Sequence, residues 1–174
     1  RNLLPLFPYS KMMSLGWIEK TKNDIERVLH LRRFFEVAKL SVIKDLSIPG
    51  IAYRKLSTKE IKNFDLAVWA QKARIESRNY QVSEVSIERL KELIPKIRSL
   101  TVLKQEEFCP ELIELMKSCG IALVFLPHLD GSFLHGATFV DGNKIVIGLT
   151  VRGAYADKFW FSLFHELYHI IAGH

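Results

Sequence analysis

The chain has 174 residues, 48% of them hydrophobic, with two Cys and three Trp, a composition that excludes a disordered, collagen-like or disulfide-scaffold protein. No stretch reaches the roughly 18–20 uninterrupted apolar residues of a membrane span, because the best candidate, residues 159–172, is broken by His165, Glu166 and His169. Charge is uneven: residues 1–104 hold 21 Lys and Arg against 11 Asp and Glu, and residues 105–174 hold 4 against 8, which divides an overall +6 into +10 and −4.

Helices come first. Thr21-x-x-Asp24 and Ser57-x-x-Glu60 read as capping boxes, each leading into apolar residues at helical spacing. These are Ile25, Val28, Leu29 and Phe35 in the first, and Ile61, Phe64, Val68 and Trp69 in the second. Leu46-Ser47-Ile48-Pro49-Gly50 between them has breakers and no period, so it predicts a linker or turn. Ile87, Leu90, Leu93, Ile94 and Ile97 form a third stripe, expected to bend or restart at Pro95. A fourth helix is expected over residues 110–119, opened by Pro110 and stopped by Gly120.

Beyond Gly120 the pattern changes to strands. Residues 121–126 form a short apolar run ended by Pro127, as a buried strand would. Residues 136–140 and 144–150 are β-rich and meet across Asp141-Gly142-Asn143, a hairpin signal. Residues 155–172 are apolar on nearly every side, which predicts a central helix beneath the sheet. The fold class expected is α+β, a mostly helical N-terminal part followed by a small twisted sheet whose hairpin packs on the last helix. Two parts are expected: residues 1–104, a helical, basic linking region, and residues 105–174, a core truncated after the helix that carries the site.

That helix holds His165-Glu166-Leu167-Tyr168-His169. Positions i and i+4 share one helix face, so both imidazoles can reach one Zn at roughly 2.0–2.1 Å. Glu166, beside the metal but not bound to it, is placed as general base for the attacking water. With 6 His in 174 residues, composition alone yields such a motif in roughly 1 to 2 chains of 100. An extended motif would require Gly at position 172 and His at position 175, whereas the sequence has Ala172, Gly173 and His174. The third ligand is therefore expected beyond the chain, and the isolated chain is expected to bind Zn weakly or not at all and to be inactive.

The stretch from Phe159 to His169, with Gly136-Ala137-Thr138-Phe139 and the strand from Ile145 to Thr150 before it, resembles the ImmA/IrrE family of metallopeptidases. Leu15-Gly16-Trp17-Ile18 and the run from Leu31 to Ala38 are similar to the region joining an Xre-type helix-turn-helix to this domain in HigA-like antitoxins and in phage and plasmid regulators. The resemblance implies a gluzincin-like fold, His165 and His169 as Zn ligands, Glu166 as general base, and an acidic third ligand from a later helix. It also implies cleavage or control of a DNA-bound repressor, with DNA bound only through a helix-turn-helix outside this chain. Residues 133–140 are the nominated edge strand for extended substrate.

Other residues receive smaller roles. His135, with Gly136 and Ala137, is the candidate substrate contact, a surface histidine at a strand start being the alternative. Tyr168 is expected to face the core or a partner, and Trp17, Trp69 and Trp160 are expected core aromatics. His128 is expected in a loop, and Arg152 and Asp157 as electrostatic caps of the last helix. Cys109 and Cys119 are expected as free thiols in the reducing cytoplasm. Two functions follow: a Zn metallopeptidase-like domain of a transcriptional regulator or antitoxin, cleaving a regulatory protein, or a non-catalytic sensor and interaction module that binds a cognate toxin or a second protomer as a homodimer. A basic nucleic-acid module in residues 1–104, with binding that falls steeply with salt, is a third.

Overall fold

The computed structural model describes residues 3–45, 63–129, 136–150 and 156–173. The protein is α+β, helical in its N-terminal part with a small mixed sheet following. The helices are α1 (Tyr9–Ser14), α2 (Asp24–Phe35), α3 (Val42–Asp45), α4 (Asn63–Ser77), α5 (Ile87–Ser99), α6 (Gln105–Ser118) and α7 (Ala156–Ala172). Strands β1 (Ile121–Leu126), β2 (Gly136–Asp141) and β3 (Lys144–Thr150) lie in the order β1-β3-β2. β1 runs parallel to β3 and β2 antiparallel to it. Among the described residues no helix is long and apolar enough to cross a membrane.

Several helix boundaries differ from the sequence reading, each for a local reason. Helix α2 is capped by Asn23, whose side chain accepts from the backbone N–H of Ile25 at 2.9 Å and of Glu26 at 3.3 Å, while the Thr21 hydroxyl is turned to the Glu26 carboxylate. Its buried face runs through Leu31, Phe34 and Phe35, leaving Ile25 73% and Leu29 48% exposed. Ile25 and Leu29 share their helix side with Arg32 and Glu36, so that side faces outward. Helix α6 starts five residues before Pro110, because the Glu107 carboxylate accepts from the Lys104 backbone N–H at 3.1 Å and fixes the first turn there. Helix α5 passes through Pro95 as one element. The Ser57-x-x-Glu60 box, Ile61 and the linker at 46–50 lie outside the described residues.

The sheet shows strict alternation. Ile121, Leu123, Ile147 and Leu149 face α5, α6 and α7 and join Leu90, Leu112, Met116, Trp160, Leu163 and Leu167 in one core. Ala122, Val124, Ala137, Phe139 and Val146 point to the opposite side and meet Leu66, Trp69 and Ala73 of α4. Helix α4 turns its other side, Ala67 and Val68, to Leu31, Phe34 and Phe35 of α2 and to the N-terminal residues Leu4, Phe7, Tyr9 and Met12. A helix buried on both sides reads as continuously apolar, which explains the run from Leu66 to Ala70. The sheet is thus covered by α4 and α5 from the basic part and by α6 and α7 from the acidic part.

The hairpin closes with Asp141 paired to Lys144 around a two-residue loop. Gly142 at φ 62° supplies the positive φ that the first position of a type II′ turn requires. Helix α7 is not buried all round: Trp160, Leu163 and Leu167 face the core, but Phe161 and Tyr168 are each 63% exposed. Trp69 and Trp160 are core residues as expected, and Trp17 is half-buried between α4 and the N-terminal helices. His128 lies in the loop after β1, Asp157 is in the first turn of α7, and Arg152 is outside the described residues.

Cys109 is half-buried and Cys119 buried, both as free thiols. Burial pushes the Cys119 thiol up to about 11, and its S–H points to the Met116 carbonyl at 3.3 Å. Ellman titration of the native protein is expected to leave Cys119 unreacted until denaturant is added; rapid native reaction of both thiols would contradict this packing.

A second prediction concerns Glu36, the αL residue that ends α2. Its carboxylate is held by both guanidinium nitrogens of Arg78, at 2.6 and 2.7 Å. These bonds keep the Glu36 carboxyl below its ordinary range. The contribution is present at neutral pH and lost as pH falls through the depressed folded value. Both side chains are about half exposed, so Glu36→Gln is expected to cost less than about 1 kcal/mol at pH 7 in urea denaturation, and progressively less as pH falls through the depressed folded value.

Candidate metal centre

Helix α7 places His165 and His169 one turn apart, and the two Nε2 atoms stand 3.0 Å from each other. The rings are perpendicular, at 89°, with centroids 4.5 Å apart. Two bonds of 2.0–2.1 Å to one ion put their nitrogens about 2.9 Å apart at a right angle and about 3.3 Å at the tetrahedral angle. The observed separation lies between these, so the imidazole pair fits a shared metal ion. Without a metal, one N–H donating to the other ring nitrogen satisfies the same distance. Among the described residues no group of three or more His, Cys, Asp and Glu side chains is placed to hold a metal. The two histidines are therefore a partial donor set.

Glu166 follows His165 by about 100° around the helix and turns toward the sheet. It is 3% exposed and accepts a hydrogen bond of 2.5 Å from the Thr138 hydroxyl on β2. Burial raises its carboxyl above the ordinary value, and the Thr138 hydrogen bond and the charge of His169 oppose that rise. β2 approaches closely here: a Cβ on Gly136 would stand 2.8 Å from Leu149 Cδ2 and 3.5 Å from Glu166 Oε1. The Phe161 ring lies nearly parallel to that of His165, at 12° and 6.3 Å, and Tyr168 edges onto His169 at 6.0 Å.

The sequence-predicted residues separate into three groups. His165, Glu166 and His169 come together with Gly136. Ala137 does not: it is fully buried on the opposite face of the sheet, beside Trp69, because strand alternation sends it there. His135 and His174 lie outside the described residues, as do residues 133–134 of the nominated edge strand. Within the described part of that strand, Ala137, Thr138 and Phe139 are buried, and Val140 is 62% exposed. β2 lies at the edge of the sheet, and Gly136 in it is half-buried. Tyr168 faces outward, not into the core.

Sequence reasoning missed Thr138 as the partner of Glu166. A signal existed, since Gly136 had been nominated and Thr138 shares its face two residues on. Phe161 was missed as well, although it sits four residues before His165 on the same helix face. Comparison of the chain with family models, curated proteins and solved structures finds no match.

Proposed function

We propose that the chain carries a Zn-dependent metallopeptidase-like unit of the ImmA/IrrE type, which hydrolyses peptide bonds of a regulatory protein. The observation that most supports this is the pair of imidazole Nε2 atoms 3.0 Å apart on α7, with the buried Glu166 carboxyl on the intervening turn. When bound, Zn polarises a scissile carbonyl and brings the pKa of the attacking water toward about 7. His165 and His169 would hold the ion through their imidazoles. Glu166 takes a proton from the water and passes it to the leaving amine nitrogen. The resemblance places the third ligand, an acidic side chain, on a later helix. Contact with DNA in this reading runs through a helix-turn-helix outside the chain, in a cytoplasmic setting that suits the two free thiols.

A second reading is favoured by one observation, the outward Phe161 and Tyr168 beside the histidines. There the helix serves as a sensor or interaction module that docks a cognate toxin or a second protomer. Cleavage of an unstructured protein such as casein, with Zn supplied, by a longer form of the protein that includes the later helix and its third ligand, separates the two. The peptidase reading expects cleavage that Glu166→Gln abolishes while Zn binding persists. In that longer form, Zn bound without any cleavage, or cleavage indifferent to Glu166→Gln, would overturn it and leave the interaction module.

A further inference from the structure

We infer that Thr138 is the positioning residue for Glu166: its hydroxyl fixes one carboxylate oxygen and leaves the other for proton transfer. The inference rests on the peptidase reading above and extends it to a side chain on a different element.

The side chains of α7 that could act as acid or base are set by helix geometry only as far as Cβ, and a glutamate has three further torsions. Something outside the helix must hold the carboxyl if it is to work at one place. The structure supplies that contact from β2, 28 residues earlier in the chain. An ionised carboxylate only accepts, so the Thr138 hydroxyl is the donor, and its hydrogen lies toward Oε2 at 2.5 Å. Thr138 is 9% and Glu166 3% exposed, so water does not compete freely for the bond. Thr138 is itself stiff at χ1 because it is β-branched, and it sits on a strand paired along its length with β3.

Gly136 completes the arrangement. It shares the α7-facing side of β2 with Thr138, and the space where its Cβ would lie is bounded by Leu149 at 2.8 Å and by Glu166 Oε1 at 3.5 Å. The strand can therefore approach α7 closely enough for the 2.5 Å bond, and Oε1 is left facing a position without a side chain. Oε2 is committed to Thr138, and Oε1 is the oxygen available to a water proton. Ala137 and Phe139, pointing into the opposite core, lock the register that brings residues 136 and 138 to this side.

The test compares Thr138→Val, which keeps the shape and removes the donor, with Thr138→Ser, which keeps the donor. Circular dichroism first confirms that both fold. The glutamate side-chain carboxyls are then labelled with ¹³C, and the Glu166 resonance is identified by its loss in Glu166→Gln. That resonance is expected to move in Thr138→Val and to return close to its original position in Thr138→Ser. In a longer form of the protein that carries the third ligand, kcat of Thr138→Val against a cleaved protein is expected to fall about ten- to a hundredfold with KM unchanged and to recover in Thr138→Ser, with Zn still bound in both. An unmoved resonance, or cleavage by Thr138→Val at the original kcat, would overturn the inference while leaving the peptidase reading standing. A wild-type longer form, carrying the third ligand, that binds Zn without cleaving would instead remove the peptidase reading, and with it the role assigned to Thr138, whatever the resonance shows.

Discussion

Trp69→Ala is expected to cost about 3–5 kcal/mol of folding stability, the range for deleting a fully buried large aromatic. For a chain of this size that lowers Tm by roughly 6–20 °C. Trp69 is 0% exposed and lies where α4 meets the sheet, against Ala122, Val124, Phe139 and Val146. Gly148 in the central strand makes room for it: a Cβ there would stand 2.6 Å from Trp69 Cη2 and 2.8 Å from Cζ3. The outer edge of the indole thus packs directly against the β3 backbone at Gly148, in a core too closely packed to refill the void its removal leaves. Gly148→Ala approaches the same contact from the other side and is expected to destabilise as well, by overpacking, about 1–3 kcal/mol. Thermal denaturation followed by circular dichroism checks both. A loss below about 1 kcal/mol in Trp69→Ala would show that α4 is not seated on the sheet as described.

The second large effect is expected at Glu166, measured with metal excluded by a chelator. Burial raises its folded-state pKa above the ordinary carboxylate value of 4.5. The folded protein therefore keeps a proton that the unfolded chain has already released, and stability falls as pH rises from that value through the folded pKa. Above that window the cost is constant. Glu166→Gln carries no such charge, so its stability is expected to lack this slope and to exceed that of the wild type at pH 7–8. The gain is on the order of 1–3 kcal/mol, the penalty for a buried polar group with incomplete compensation. Urea midpoints at several pH values measure it. A Glu166→Gln protein less stable than the wild type at pH 8 would show that the Thr138 bond and the nearby His169 outweigh burial.

The parts of this fold that were legible in the sequence are those set by local pattern. Strands β1 and β3 follow from apolar runs bounded by Gly120, Pro127 and the Asp-Gly turn, and α5 follows from its five-residue stripe. The α+β class follows from the order of these elements. What was not legible depended on contacts between segments. The start of α6 is set by a side chain reaching back to the Lys104 backbone, which a proline-based reading placed five residues late. The outward turn of Ile25 and Leu29 is decided by where α4 lies, not by α2 alone. The parallel pairing of β1 with β3 leaves no local trace at all.

The site divides in the same way. His165 and His169 are an i, i+4 pair whose proximity the helix guarantees, so spacing alone announced them. Thr138 acts across 28 residues, and only alternation along β2 hinted at it. Ala137 was nominated from its nearness in sequence to Gly136, and the same alternation turns it to the wrong face.

The central claim is that His165 and His169 share one metal ion, and Zn binding by equilibrium dialysis with elemental analysis tests it most directly. One Zn per chain is expected, bound weakly where these two histidines are the only protein ligands. Removing a ligand is expected to weaken binding by more than the 10- to 100-fold typical of losing an outer hydrogen-bond partner. His165→Ala and His169→Ala should therefore both release the ion, and Glu166→Gln should keep it. A correctly folded wild-type protein that includes the third ligand and takes up no Zn, or one whose Zn survives both histidine substitutions, would contradict the account.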